Sequence, residues 1–297
     1  MRGLVLAAVM FGAASGAQAA DMPDFLRGSI PPTLSTATRN WDGWYAGGQV
    51  GYTTSDMDFS RTVVGLTNFI FRNAVLQQPV SQFGLLPKNH AQTTGFGAFV
   101  GRNYQFEDLV FGVEANYNYV SNLASSAKSS NSLSFGSLPG ITPPVNHTYT
   151  YTVSLSGDAA LQVKDVITFR GRAGWAAGNF LPYVFGGLAV GRMDVARSVT
   201  VDETLRDDSV AIITLPSGGT VSVPQAPQFS RIPGFPQFAK ERRINDFVAG
   251  WTGGLGMEYM LWGNIFMRGE WEYIKFLSVK DTVVNMNSVR AGIGYKF

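Results

Sequence analysis

Charged side chains that alternate with apolar ones are the clearest candidates for chemistry in this sequence. Arg268, Glu270 and Glu272 lie two residues apart, as do Arg170 and Arg172. At this spacing the side chains share one face of an extended strand. There they could pair with one another or line a path for ions. Eight residues make up the set: Glu114, Arg170, Arg172, Glu258, Arg268, Glu270, Glu272 and Arg290.

Catalysis finds little support. The 297 residues include two histidines, His90 and His147, and no cysteine. Neither histidine has the ligand spacing of a known metal site. Asp56, Asp58 and His90 could converge from one predicted loop, but their spacing does not favour it. The sequence therefore predicts no catalytic residues, no metal and no cofactor.

β-Strands must position the charged residues, because the chain alternates with a period of two from Trp41 onward. The closing segment has one apolar face, made by Val289, Ala291, Ile293, Tyr295 and Phe297. Four more segments alternate clearly: 109–119, 167–175, 249–259 and 265–275. Three fit less clearly: 44–53, 94–104 and 181–191. We predict an all-β, eight-stranded antiparallel up-and-down transmembrane barrel, with ten strands left open if a loop hairpin also crosses.

The connections alternate between short and long. Tight turns are predicted near 105–108, 177–180 and 262–264, and a fourth short connection near 278–284. Long loops are predicted near 54–92, 121–160 and 197–245. This alternation is typical of outer-membrane barrels, with short periplasmic turns and long extracellular loops. An even strand number then leaves both mature termini in the periplasm.

Some loop segments have a character of their own. The Ser- and Asn-rich segment 121–137 predicts a mobile loop, and 66–78 a short helix. Segments 147–155 and 212–223 alternate in a way that predicts strand extensions above the membrane.

The N-terminal residues predict export. Arg2, an apolar stretch and the small-residue site Ala17-Gln18-Ala19 form a signal peptide over residues 1–19. Residues 20–41 contain three prolines and no periodicity, which predicts a periplasmic lead-in. Residues 42–297 then form the barrel with its surface loops.

Composition excludes several classes of protein. A formal net charge of +2 gives no reason to expect a nucleic-acid partner. The absence of cysteine excludes a disulfide framework. Mean hydropathy is +0.04, and the chain beyond residue 19 has no apolar run of the ~18 residues that a membrane helix needs. An exported chain with 13% aromatic residues therefore favours a membrane barrel.

The width of such a barrel decides what the charges do. Eight strands leave an interior only wide enough for side chains to fill. Charges in that space must pair, since an unpaired buried ion costs several kcal/mol. Four acids face the four arginines of the set and Lys296, so we predict an ion-pair plug. A charged permeation path is the alternative.

Three motifs resemble small OmpA-like and opacity-type outer-membrane barrels, the "porin family" of Gram-negative bacteria. The first is the opening run Trp41-Asp42-Gly43-Trp44-Tyr45-Ala46-Gly47, which follows the lead Ala19-Ala20-Asp21-Met22-Pro23. Within this run, Trp41, Gly43, Tyr45 and Gly47 match the family's motif. The others are residues 253–259, similar to the family's sixth strand, and residues 288–297, similar to its last.

The resemblance implies that Phe297, with Tyr295 and Ile293, is recognised by the barrel-assembly machinery; a place in the lipid-facing aromatic girdle is compatible with this. It also implies a structural surface protein of the outer membrane, with roles in envelope integrity, adhesion or as a surface antigen. The alternatives are a narrow channel for small solutes and loop-based binding of a ligand such as haemin. The expected partners are outer-membrane lipids and the assembly machinery, with no nucleic acid.

Overall fold

The computed structural model describes residues 40–72, 80, 84–136 and 138–297. The predicted signal peptide and residues 20–39 of the predicted lead-in lie outside the described residues. Within the described part, no helix is long and apolar enough to cross a membrane.

Of ten strands in the described residues, eight long ones close into a ring. The strands are β1 (Gly43–Asp58), β2 (Lys88–Phe106), β3 (Leu109–Phe135), β4 (His147–Trp175), β5 (Phe180–Thr214), β6 (Thr220–Pro224), β7 (Gln228–Arg231), β8 (Gln237–Trp262), β9 (Ile265–Phe276) and β10 (Val283–Lys296). Antiparallel pairing runs β1-β2-β3-β4-β5-β8-β9-β10, and β10 pairs back with β1. Strands β6 and β7 pair only with β5, near one end of the ring. The predicted eight-stranded antiparallel barrel is therefore confirmed.

Side chains alternate between the inside and the outside along each strand. Outward Val50, Val113 and Ile293 are 61–64% exposed, whereas inward Glu114 and Glu258 are at most 4% exposed. The apolar face predicted for the closing segment points outward, and the other four clearly alternating segments alternate as predicted. Outward aromatic rings form two belts. The lower girdle consists of Trp44, Tyr104, Trp175, Tyr259 and Tyr295, and the upper girdle of Tyr52, Phe96, Tyr119, Trp251 and Tyr273.

The two ends of the ring differ. At the short-turn end, β2 leads into β3 through Glu107 and Asp108, and β8 into β9 through Gly263 and Asn264. Glu107 (φ 53°) and Gly263 (φ 56°) adopt the left-handed conformation that such tight turns require. The other end, which carries the longer connections, is called the long-loop end.

The long loops are shorter than predicted, because the strands continue into them. Segment 121–137 was expected to be a mobile loop, and this is wrong: β3 runs to Phe135, which pairs with Tyr151. Its inward Leu123 and Ala127 are buried, while Ser126, Ser130, Ser132 and Ser134 lie at exposed outward positions. His90 and His147 likewise lie in strands β2 and β4. The helix expected at 66–78 is present as α1 (Val64–Ile70), and residues 73–79 lie outside the described part.

Three layers fill the barrel. At the short-turn end lies a lower apolar cluster that includes Trp41, Tyr45 and Phe266. The middle layer is charged. Above it, a larger apolar cluster contains residues of the β1–β2 loop, such as Phe59, packed with inward residues of β3, β4, β5 and β8. The first loop thus folds into the upper barrel.

Arginine at Val113 tests the outward face. Val113 is 61% exposed and lies between the two girdles. We expect Val113→Arg to destabilise the barrel in a bilayer by roughly 2–4 kcal/mol, because a cation then faces hydrocarbon. Equilibrium urea unfolding in lipid vesicles measures this. The control is Ser126→Arg, at an outward position of β3 beyond the upper girdle, and equal losses for both variants would contradict the assigned lipid surface.

Candidate functional site

Strand register brings the charged residues to one level of the barrel. Glu114 of β3 lies directly opposite Arg170 of β4. Arg268 of β9 lies opposite Glu258 of β8, and Glu270 of β9 opposite Arg290 of β10. Cross-strand partners share a face, so each pair points into the lumen together. The charged layer consists of Glu114, Arg170, Arg172, Glu258, Arg268, Glu270, Glu272 and Arg290, all at most 6% exposed.

Glu114 is the centre of this layer. Its carboxylate accepts from Arg170 at 2.5 Å, from Arg268 at 3.0 Å and from Arg172 at 3.3 Å. The Tyr45 hydroxyl donates to it at 2.7 Å, and the Asn116 amide at 2.6 Å. Donors on three other strands, β1, β4 and β9, and one on its own strand therefore satisfy a carboxylate with no exposed surface.

The other acids are held in the same way. Arg172 donates two hydrogen bonds of 2.8 Å to Glu258, and this bidentate geometry favours arginine over lysine. Arg290 pairs with Glu272, which also accepts from Thr252 at 2.8 Å. Glu270 accepts from Arg170 at 2.5 Å and also pairs with Arg268. All eight predicted residues thus meet in one network.

Aromatic rings support the arginines, and the sequence pattern did not predict these rings. The Arg268 guanidinium carbon lies 3.8 Å from the Phe99 ring centroid, that of Arg172 3.9 Å from Tyr183, and that of Arg170 4.0 Å from Phe185. These rings belong to segments 94–104 and 181–191, whose faces could not be assigned. The usable signal was the two-residue spacing of Leu181, Tyr183 and Phe185.

Charge is balanced within this layer, at four carboxylates and four guanidiniums. Lys296, counted with the bases from the sequence, lies at the short-turn end, where its Nζ donates to the Asp42 carbonyl at 2.8 Å. Between the charged layer and the upper cluster, a cavity of about 20 Å³ is lined by Gln49, Asn118, Ser288 and others. Such a volume holds about one water molecule.

The opening motif closes the lower end. Trp41 is 1% exposed, and its indole nitrogen donates to the Gly178 carbonyl at 3.2 Å. Tyr45 points inward and Gly43 has a φ of +128°. A side chain at Gly47 would begin 2.3 Å from the Ile293 carbonyl oxygen, so glycine allows β1 to approach β10.

Ile293, Tyr295 and Phe297 point outward, with 62%, 47% and 72% of their surface exposed. The rings of Tyr295 and Phe297 meet edge to face at 5.3 Å. These residues extend the apolar outer surface down to the short-turn end.

Both histidines lie toward the long-loop end, far from the charged layer. Each contacts one aspartate. His90 contacts Asp56, and His147 Nδ1 lies 2.8 Å from Asp207. Across the described residues, no group of three or more His, Asp or Glu could hold a metal ion.

Arg197 connects two loops to the barrel wall at the upper end. Its guanidinium donates to the Thr62 carbonyl of the first loop at 2.5 Å and to the Lys280 carbonyl of the β9–β10 loop at 3.1 Å. It also pairs with Glu241 of β8 at 2.6 Å. Thr62 and Thr282 add a hydrogen bond of 2.6 Å between the two loops. One buried arginine thus joins two loops to the wall.

This contact predicts a pH dependence. Hydrogen bonds from Lys280 and Arg197 lower the pKa of Glu241 from 4.5 to about 2. A carboxyl with a lowered pKa stabilises the fold fully above its unfolded pKa and loses that contribution as the pH falls through its folded pKa. We therefore expect the melting temperature of wild type to exceed that of Glu241→Gln at pH 7. The gap between the two melting temperatures should close between pH 4.5 and about 2.

Thermal melts across this pH range measure the gap. Asp158→Asn is the control, because Asp158 is 52% exposed and lies 3.7 Å from Lys128, so little change is expected at any pH. A gap between wild type and Glu241→Gln that stays constant down to pH 2 would contradict the assigned pairing.

Comparison with known proteins agrees with the barrel. A relative, the 25 kDa outer-membrane immunogenic protein of Brucella ovis, is 25% identical over 203 residues, which are 68% of this chain and 62% of that protein. The match therefore spans less than two thirds of the relative's length.

Two solved structures of lower identity also match much of the chain. Ail, the attachment invasion locus protein of Yersinia pestis, solved with the heparin analogue sucrose octasulfate, is 11% identical, with 86% of this chain and 99% of Ail covered and a TM-score of 0.33. Neisserial surface protein A is 12% identical, with 86% and 97% covered and a TM-score of 0.32.

The family model described as "Outer membrane protein beta-barrel domain" matches residues 4–297, almost the whole chain. The ring of eight strands, with its apolar outer surface and two aromatic girdles, is the structure that such a family requires. This chain is therefore a member of the outer membrane protein beta-barrel domain family.

Proposed function

We propose that this protein is a structural component of the outer-membrane surface, a closed barrel that carries folded loops outside the cell. The charged layer is the observation that carries the proposal. Arg170 and Glu114 pair in the lumen with at most 1% of either side chain exposed. A lumen filled by paired side chains between two apolar clusters offers solutes no continuous aqueous path, which favours a structural role over a channel.

The proposed orientation follows the lengths of the connections. Short turns face the periplasm and the long-loop end faces outward, as in other bacterial barrels. Both mature termini are then periplasmic, after cleavage behind Ala19 of the signal peptide. In this proposal the barrel-assembly machinery binds the C-terminal end of the chain, through outward Ile293 and Tyr295 of β10 and Phe297 directly after it.

The long-loop end then provides the surface that other molecules meet. Exposed apolar residues there include Ile212, Phe229 and Phe238, at 55%, 72% and 64% exposure. We propose that this end serves in adhesion or as a surface antigen, in addition to envelope integrity. The name of the Brucella ovis relative as an immunogenic protein is consistent with the antigen role.

Single cysteines test the orientation, because the natural chain has none. Ser217→Cys lies in the turn between β5 and β6, and Asp108→Cys in the turn between β2 and β3. On intact cells a membrane-impermeant maleimide should label Ser217→Cys alone, and Asp108→Cys should react only after the outer membrane is permeabilised. The reverse pattern, or labelling of both on intact cells, would overturn the proposal.

A further inference from the structure

Arg102 is an exception on the lipid-facing surface. Between the lower and upper girdles, the other outward side chains of the described strands are uncharged. Arg102 of β2 points outward, opposite Trp44 of β1 and Val113 of β3. A cation facing lipid is costly unless an anion or water meets it.

Two girdle residues hold this side chain. The guanidinium carbon of Arg102 lies 5.7 Å from the Trp44 ring centroid and 5.0 Å from that of Tyr104, within the range of cation–π attraction. Its Nε is buried and has no hydrogen-bond partner among the described residues. The rings therefore fix the position of the guanidinium but leave hydrogen-bond donors unused.

Two outward cations at the opposite end of the band pair with carboxylates. Lys164 pairs with Asp194 at 2.7 Å, and Arg192 pairs with Asp165. Among the described residues no carboxylate pairs with Arg102. The protein thus supplies anionic partners to Lys164 and Arg192, whereas Arg102 has none among the described residues.

We propose that Arg102, Trp44 and Tyr104 form a binding site for the phosphate of a phospholipid headgroup. Tryptophan and tyrosine belts lie at the level of the headgroups, and a long arginine side chain reaches from apolar surface to that level. The planar guanidinium presents paired N–H donors that match two phosphate oxygens. In the proposed orientation, on which the choice of leaflet rests, this lipid belongs to the periplasmic leaflet.

The test uses the mature protein purified in maltoside detergent, which carries no phosphate. Binding of dimyristoyl phosphatidylglycerol is titrated by native mass spectrometry for wild type, Arg102→Leu and Arg102→Lys. Leucine suits a lipid-facing position, so Arg102→Leu should fold, and circular dichroism checks this. Lys240→Leu is the matched control, because Lys240 is an exposed cation of β8 beyond the upper girdle.

We expect Arg102→Leu to bind phosphatidylglycerol at least about tenfold more weakly than wild type, because the variant loses the charge-assisted hydrogen bonds to the phosphate. Arg102→Lys should bind with intermediate affinity, and the affinity of Lys240→Leu should be unchanged.

Equal binding by wild type and Arg102→Leu would overturn the proposal, and so would an equal loss of affinity in Lys240→Leu. Equally tight binding of dimyristoylglycerol would show that only the acyl chains matter. Full competition by inorganic phosphate would show a free-phosphate site. Since no membrane orientation enters this experiment, its failure is separate from failure of the cysteine labelling.

Discussion

Replacing Glu114 with glutamine should destabilise the folded barrel by ~3–5 kcal/mol, among the largest effects expected of one substitution. Glu114 pairs with Arg170, Arg172 and Arg268, and none of its carboxylate surface is exposed. Glutamine keeps the shape but removes the negative charge, so four guanidiniums then face three carboxylates. Urea unfolding in detergent or lipid measures the loss.

A double-mutant cycle separates loss of the pair from other effects. Arg170→Gln alone should also destabilise, because it leaves Glu270 and Glu272 with fewer cations. Adding Arg170→Gln to Glu114→Gln restores charge balance and should recover part of the loss, a non-additivity that the cycle reports. Strictly additive losses would contradict the network.

Glu203 offers a control with the same chemistry. It is 6% exposed on β5, and burial raises its pKa. It makes no ion pair with another described residue, so Glu203→Gln removes a buried charge without stranding another. We expect Glu203→Gln to be neutral or slightly stabilising at neutral pH. A loss as large as that of Glu114→Gln would show that any buried glutamate gives this effect.

Alanine at Gly187 should be the second severe change. Gly187 lies opposite Arg170 on the inward face, and a Cβ there would stand 2.0 Å from the Phe169 carbonyl oxygen and 2.6 Å from the Arg170 Cα. Both contacts are with backbone, so β4 and β5 would have to separate. Overpacking typically costs ~1–3 kcal/mol, and we expect Gly187→Ala to reach or exceed the upper end.

The control is the next rung of the same strand pair. Gly171 lies opposite Gly186 on the outward face, and a Cβ there meets no atom within 4 Å. Gly171→Ala should therefore be neutral or slightly stabilising. Urea unfolding of both variants measures the contrast. If the two were equally stable, the close approach of β4 and β5 at Gly187 would be contradicted.

The sequence predicts the barrel wall well because its signal is local. A period of two along 109–119 and 265–275 separates lipid-facing from inward residues without any tertiary information. The same alternation brings Glu114 and Arg170 into the lumen. Their exact partners depend on strand register, which the sequence does not state residue by residue, although the structure pairs them directly.

The first loop could not be predicted in the same way. Phe59, Val63 and Phe71 are buried against strands distant in the chain, and no short-range period specifies such packing. Segment 121–137 shows the same limit, because its high serine content is typical of a loop although β3 continues to Phe135. Its outward positions face water above the girdle, so serine is compatible with a strand there, and Leu123 and Ala127 supply the buried face.

Single-channel recording in a planar lipid bilayer tests the central claim, a barrel closed by paired charges, most directly. Wild-type protein should insert and give no steady current, because the charged layer and both apolar clusters fill the lumen. Regular current steps from wild type would contradict the account. The contradiction would be complete if Glu114→Gln changed the ion selectivity of those steps while its unfolding free energy stayed at the wild-type value, because the charges would then line a permeation path.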